Sequence, residues 1–229
     1  PALVPWYQPV VSLDNEAVVG FEVLARSNVQ GLENPHQMFL TASRLAMDVP
    51  LSELCRQVGM QHCGQLPGNP AIYLNTHPAE KLTTRLIESL QELRRQHAET
   101  PVVIELHEGA VTGPAEMKAF RAELNELDIK LAYDDFGAGQ SRLSELIAAP
   151  PDILKFDIAL IKNIHEATTQ HRRMLSMLIS VVLESGIIPL AEGIECEEEA
   201  DVCQELGFHL AQGWHFGRPA PCDTWNVAE

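Results

Sequence analysis

The chain has 229 residues, 45% of them hydrophobic, which suits one good-sized globular unit with an ample core. Sixteen Lys and Arg against 32 Asp and Glu give a net charge of -16, so the surface as a whole repels DNA, RNA and anionic membranes, and a phosphate ligand needs local attraction. Five cysteines with no C-x-x-C pair argue against a disulfide framework or a zinc site and fit a reducing compartment, with Cys55, Cys63, Cys196, Cys203 and Cys222 in structural roles.

In chain order, WYQPVVSL (6–13) and VVGFEVLAR (18–26) are the first two strand candidates. Only Asp14 to Ala17 separate them, too few residues for a crossover helix, so the first strand is predicted antiparallel to the second. AIYLN (71–75) follows, then an amphipathic helix over 78–96, VVIELHE (102–108), IKLAYDD (129–135) and ILKFD (153–157). MLSMLISVVLESG (174–186) reads as a second amphipathic helix, and IIPLAEGIE (187–195) and FHLAQGW (208–214) as the last strands. Gly186 and Gly207 sit where helix C-caps belong. The apolar stretch 174–191 is interrupted by Ser176, Ser180, Glu184, Ser185, Gly186 and Pro189, which argues against a membrane span. Eight strands alternating with helices predict a (β/α)8 TIM-like barrel whose first strand runs antiparallel to the rest, taking up residues 1–229 as one unit. The start at Pro1 rather than Met suggests a processed product or a piece of a longer chain.

Each strand of the parallel part ends in a charged or amide residue: Glu22, Asn75, Glu105, Asp134 with Asp135, Lys155, Glu192 and Gln212. A barrel gathers such ends on one face, where barrel enzymes place catalytic groups from several strands. Five carboxylates in one mouth require cations or protons. All-oxygen donors favour hard ions, so a pair of Mg2+ or Mn2+ ions is expected, with Asp134 and Asp135 as paired ligands. The Gly137-Ala138-Gly139 loop after them can approach or follow a substrate.

Several motifs together, GFEVLAR (20–26), YQPVVSL (7–13), YLN (73–75), Glu105 with Glu108, DDFGAG (134–139), LKFD (154–157), AEGIE (191–195) and QGWHF (212–216), resemble the EAL-domain family in order and spacing. That family comprises bacterial phosphodiesterases that linearise cyclic di-GMP to pGpG. The resemblance implies one ion on Glu22, Asn75, Glu105 and Asp134 and a second on Asp134, Asp135 and Glu192. It implies Lys155 at the attacking water and scissile phosphate, Glu192 as an additional base and Gln212 as the amide orienting the water. It places Gln8, Leu24, Arg26, Asp157 and Glu195 on the substrate side, Arg26 by forking onto a phosphate. Glu108 is implied to position the DDFGAG loop. The resemblance further implies a homodimer and a bacterial cytoplasmic location. Sensor or GGDEF-type domains in a longer parent chain, even a membrane-anchored one, fit the same picture.

The signature carries Val23 where the family has alanine, and two extra methyl groups beside Glu22 could tilt that ligand or tighten the pocket. Gln140 and Arg142 depart from the family loop, and His107 stands where a small hydroxylic residue is usual. A second function therefore stays open beside hydrolysis: a barrel that binds cyclic di-GMP without cleaving it.

Overall fold

The computed structural model describes residues 2–107, 113–138 and 143–226. Eight strands close into a barrel in sequence order: β1 (Leu3–Ser12), β2 (Val18–Ser27), β3 (Ala71–Asn75), β4 (Val102–Leu106), β5 (Ile129–Phe136), β6 (Ile153–Phe156), β7 (Ile188–Ala191) and β8 (Leu210–Gln212). β1 is antiparallel to both of its neighbours, β2 and β8, while the other pairs are parallel. The turn between β1 and β2 explains the reversal. Ser12 N–H donates to Ala17 O at 2.9 Å, and Glu16, left-handed at φ 55°, donates to Ser12 O at 2.8 Å.

Helices fill the crossovers. Between β2 and β3 lie α1 (Pro35–Arg44) and α2 (Asp48–His62); α1 starts where Asn34 accepts from His36 N–H and Pro35 occupies the first turn. The helix expected over 78–96 begins only at Thr84, as α3 (Thr84–Gln96). Pro78 opens a separate 3-10 turn, Pro78–Glu80, and Lys81 turns left-handed at φ 40°, which no α-helix accommodates. After β4 and β5 come α4 (Pro114–Glu126) and α5 (Leu143–Ala148); a single-turn α6 (Ile158–Ile161) and the long α7 (Thr169–Glu184) follow β6. α8 (Glu197–Leu206) ends at Gly207, left-handed at φ 99°, and Gly186, at φ 75°, follows the end of α7. Among the described residues no helix is long and apolar enough to cross a membrane.

Two apolar clusters result. The larger lies between barrel and helices, and includes Phe21, Leu74, Leu106, Phe120, Phe156 and Ile179. The smaller comprises Val10, Tyr73, Val103, Ala132, Ile153 and Leu190, all at most 3% exposed. Period-two alternation along each strand puts Gln8, Asn75, Glu105, Asp134, Lys155 and Glu192 two residues from these, on the same inward side. The polar residues thus form a layer stacked on an apolar plug. Gly20 completes the plug, because a Cβ there would sit 2.6 Å from the Tyr73 ring and 2.7 Å from Ala71 O.

Alternation also settles where Val23 points. Glu22 faces inward, so Val23 faces α2, where a Cβ on Gly59 would come within 2.5 Å of Val23 Cγ1. Tyr7, paired with Val23 across β1 and β2, donates its hydroxyl to Gly59 O at 2.6 Å. The valine is thus helix-docking volume packed on α2, on the opposite strand face from Glu22, at the edge of a cleft that both residues line. Val23→Ala is expected to lower unfolding free energy by about 1.5–3 kcal/mol through the lost methyls and the void left behind. Denaturant melts would show this; unchanged stability would contradict the packing account.

Candidate active site

The polar layer centres on Lys155, 1% exposed at the end of β6. Its Nζ lies 2.7 Å from Glu105 Oε1, 2.9 Å from Glu192 Oε1, 3.1 Å from Asp134 Oδ1 and 3.7 Å from Glu22 Oε2. Taking an ammonium out of water costs several kcal/mol. One carboxylate at 4 Å returns about 4 kcal/mol at an effective dielectric near 20, and four surround this ammonium, while their own burial and mutual repulsion offset part of that return. Burial opposes the lysine's charge, yet Asp134, Glu105, Glu192 and Glu22 together hold its pKa well above the ordinary value.

The carboxylates remain short of positive charge. Burial pushes Glu105 well above the usual carboxyl range, with Glu22 adding to the effect and Lys155 opposing it. Burial likewise lifts Glu192 to about 8 against the pull of Lys155. Asp135 is raised by burial and then by Asp134. Glu105 Oε1 and Asp134 Oδ1 share the single ammonium of Lys155, and Glu105 Oε2 is buried with no hydrogen-bond partner among the described residues. The ligand oxygens of Asp134, Asp135 and Glu192 lie within 4.8 Å of one another. An unpartnered buried oxygen, several carboxylates sharing one ammonium and an all-oxygen donor set are what a hard divalent cation would relieve, so the residues present fit such ions.

Adjacent residues on a strand point to opposite faces, yet Asp134 and Asp135 both serve this mouth. The backbone supplies the reason. Asp135 is left-handed at φ 57°, and the register between β5 and β6 shifts between Tyr133 and Phe136. This irregularity at the strand end re-aims the second aspartate, a use of irregular pairing common beside active sites. Asp is among the few residues that tolerate the left-handed region, a signal the sequence carried. Gly137 follows at φ 104°, and a Cβ there would meet the Leu160 side chain at 2.3 Å.

The amides are arranged around Glu22. Asn75 Nδ2 donates to Glu22 Oε1 at 2.8 Å, and Gln212 Nε2 donates to Glu22 Oε2 at 2.7 Å and to Gln8 Oε1 at 3.2 Å. Gln8 itself donates to Gly217 O at 3.2 Å. β7 stops at Ala191 rather than running on to 195, because Gly193 is left-handed at φ 74°. Glu192 therefore sits just past the strand end, at the rim of the mouth.

Two clefts open onto this layer and share Glu22 and Leu24. One, of about 310 Å³, is lined by Gln8, Glu192, Glu195, Gln212 and also Trp214, which the sequence did not single out for this role. The other, of about 280 Å³, is lined by Arg26, Phe39, Asn75 and His77. Arg26 is half-buried, with its guanidinium 5.3 Å from the Trp6 ring centre and Nη1 donating to Ala25 O at 2.9 Å. Glu195 pairs with Lys162 at 3.6 Å. Asp157 caps α6 by accepting from Ala159 N–H at 2.8 Å, so the local fold already engages one of its oxygens. His107 Nε2 lies 3.5 Å from Asp135 Oδ2. Glu108, Gly139, Gln140 and Arg142 lie outside the described residues.

One support escaped sequence reasoning. Arg56 of α2 and Glu80, 2% and 3% exposed, form a two-pronged ion pair at 2.7 and 2.6 Å, with Ser52 Oγ donating to Glu80 at 2.9 Å. Arg56 Nη1 also donates to Asn75 O at 3.3 Å, which ties the end of β3 to α2. A single arginine in an amphipathic helix gives no hint of such a partner.

A family model described as EAL domain matches residues 1–219. The cyclic di-GMP phosphodiesterase RocR of Pseudomonas aeruginosa is 30% identical over 226 residues, covering 94% of this chain and 57% of RocR. MucR of the same organism, a bifunctional diguanylate cyclase/cyclic di-GMP phosphodiesterase, is 27% identical over 96% of this chain and 33% of its own length. The structure of Klebsiella pneumoniae BlrP1 with manganese and cyclic di-GMP superposes with a TM-score of 0.84 at 28% identity, over 96% of this chain and 56% of that chain; BlrP1 is also known as a calcium and cyclic di-GMP complex. The chain thus spans little more than half the length of RocR and BlrP1 and a third of MucR. With the barrel, its antiparallel first strand and the carboxylate mouth in view, the match over residues 1–219 means that this chain belongs to the EAL domain family.

Proposed function

We propose that this chain hydrolyses cyclic di-GMP to linear pGpG with the help of two Mg2+ or Mn2+ ions. The observation that carries this is the buried Lys155 ringed by Glu22, Glu105, Asp134 and Glu192, a cation and an anion set poised at one point. Glu22, Asn75, Glu105, Asp134, Asp135 and Glu192 would hold the ions. Bound there, they would supply Lewis acidity and draw a phosphodiester into an otherwise acidic protein.

The chain's own residues supply the rest. Lys155, kept protonated by its four carboxylates, would meet charge that builds on the phosphate oxygens as the P–O bond breaks. Gln212, held by Glu22 and Gln8, would orient the attacking water. Glu192, at the rim beside the ions it would help to hold, would serve as an additional base by accepting a proton from that water. Arg26 lines one of the two adjoining clefts, and Leu24 lies in both, a shape that suits a ligand carrying two bases on a phosphate ring. Asp157 and Glu195 are placed on the substrate side, with Glu108 positioning the DDFGAG loop. A homodimer, a bacterial cytoplasmic setting and attachment to sensor or GGDEF-type domains belong to the same proposal.

The alternative of binding without cleavage leans on Val23 and on the altered loop at Gln140 and Arg142; the packing of Val23 on Gly59 weakens the first of these, and Gln140 and Arg142 lie outside the described residues. Incubation with cyclic di-GMP and Mn2+, followed by nucleotide chromatography, is expected to give pGpG, and a chelator to leave the substrate intact. Cyclic di-GMP that binds but returns unchanged with Mn2+ and Mg2+ would overturn hydrolysis in favour of a receptor.

A further inference from the structure

We infer that His165, Cys196 and Glu199 form a second cation site, selective for a borderline-soft ion such as Zn2+, at the outer edge of the barrel beside α8. His165 lies on the 3-10 turn Ile164–Glu166, Cys196 immediately precedes α8, and Glu199 is in the first turn of α8. One donor atom from each falls within 4.8 Å of the others. Zinc holds nitrogen, oxygen and sulfur at roughly 2.0–2.3 Å, so small rotations of His165 and Cys196 toward the Glu199 carboxylate would close the group on one ion.

Two features distinguish this group from a chance cluster. His165 Nδ1 is buried and has no hydrogen-bond partner among the described residues, while its Nε2 stands 3.9 Å from Glu166 Oε1. Glu199, 2% exposed, is fixed before any ion arrives: Oε1 accepts from Asn163 N–H at 2.6 Å and Oε2 from Glu195 N–H at 2.8 Å. Each oxygen keeps a lone pair for a metal. The sequence pointed away from zinc because no cysteine pair exists, but the fold unites one cysteine with a histidine 31 positions earlier in the numbering and a glutamate one turn later.

The donor chemistry separates the two sites. The barrel mouth offers oxygen alone, which suits Mg2+ or Mn2+, whereas imidazole and thiolate favour zinc. Three protein ligands leave a fourth position for water. Occupancy would also fasten the segment after β7, since Glu199 accepts from the backbone of Glu195, three residues beyond Glu192. The inference stands independently of the phosphodiesterase proposal.

Cobalt tests it with a readout the mouth cannot produce. Protein whose mouth is first saturated with Mg2+ and then titrated with Co2+ is expected to develop, at one equivalent, a sulfur-to-cobalt charge-transfer band in the near ultraviolet, which Zn2+ then abolishes. The band should vanish in Cys196→Ser and fall at least tenfold in His165→Ala, yet persist in Glu22→Gln, whose change lies in the mouth. Circular dichroism confirms that each variant is folded, and Cys196→Ala replaces a serine variant that is not. A band that survives loss of Cys196, or its absence from folded parent protein at stoichiometric Co2+, overturns the site.

Discussion

Lys155→Ala is expected to lower the turnover of cyclic di-GMP by about 10²–10³-fold, the loss typical of one preorganised charge acting on the transition state, while KM moves far less. The lysine is buried among carboxylates rather than exposed toward the clefts, so uniform substrate binding is a minor part of its work. A second effect follows from the same contacts. Without the ammonium, Glu105, Asp134, Glu192 and Glu22 lose their shared counter-charge, and breaking a buried pair of this kind costs about 3–5 kcal/mol. Metal-free Lys155→Ala protein should therefore melt well below the parent, and Mn2+ should recover more stability in the variant than in the parent. Steady-state kinetics with thermal melts at several Mn2+ concentrations check both. A collapse in affinity at unchanged kcat would make the lysine a substrate anchor instead.

Glu22→Ala should be as damaging by a different route. Glu22 accepts from Asn75 on one oxygen and from Gln212 on the other, and it stands 3.7 Å from Lys155. Its removal takes away an ion ligand and frees two amides that lose their shared acceptor. Turnover should fall by about 10³-fold or more, beyond the 10–100-fold loss usual for residues that merely support a ligand. The Mn2+ concentration for half-maximal activity should rise as well. Turnover within tenfold of the parent at saturating Mn2+ would contradict a ligand role for Glu22.

Much of this architecture could be read from residues alone because the relevant signals are local. The four residues between the first two strands left no room for a helix, and β1 is antiparallel as that length requires. Period-two alternation carried the strand-end polar residues to one face. The boundaries were less legible where a single backbone torsion decides them: Lys81 at φ 40° cuts the helix expected over 78–96, and Gly193 at φ 74° ends β7 early.

Three further features depend on contacts between distant segments. Val23 looked like a threat to the ligand beside it; alternation turns it to the opposite face, but the surface it packs on, Gly59 of α2, 36 residues away, is not encoded in the strand pattern. The Arg56–Glu80 pair beneath Asn75 joins a helix to a turn and is invisible to periodicity. The pairing of Asp134 with Asp135 was anticipated from charge, but the left-handed torsion that lets both face the mouth was not.

The central claim is that the strand ends of this barrel gather their carboxylates to hold two divalent cations around Lys155. Manganese anomalous scattering from crystals soaked with Mn2+ tests it most directly. Two peaks are predicted, one among Glu22, Asn75, Glu105 and Asp134 and the other among Asp134, Asp135 and Glu192. No peak in the mouth at saturating Mn2+, or peaks only at other positions, would contradict the claim.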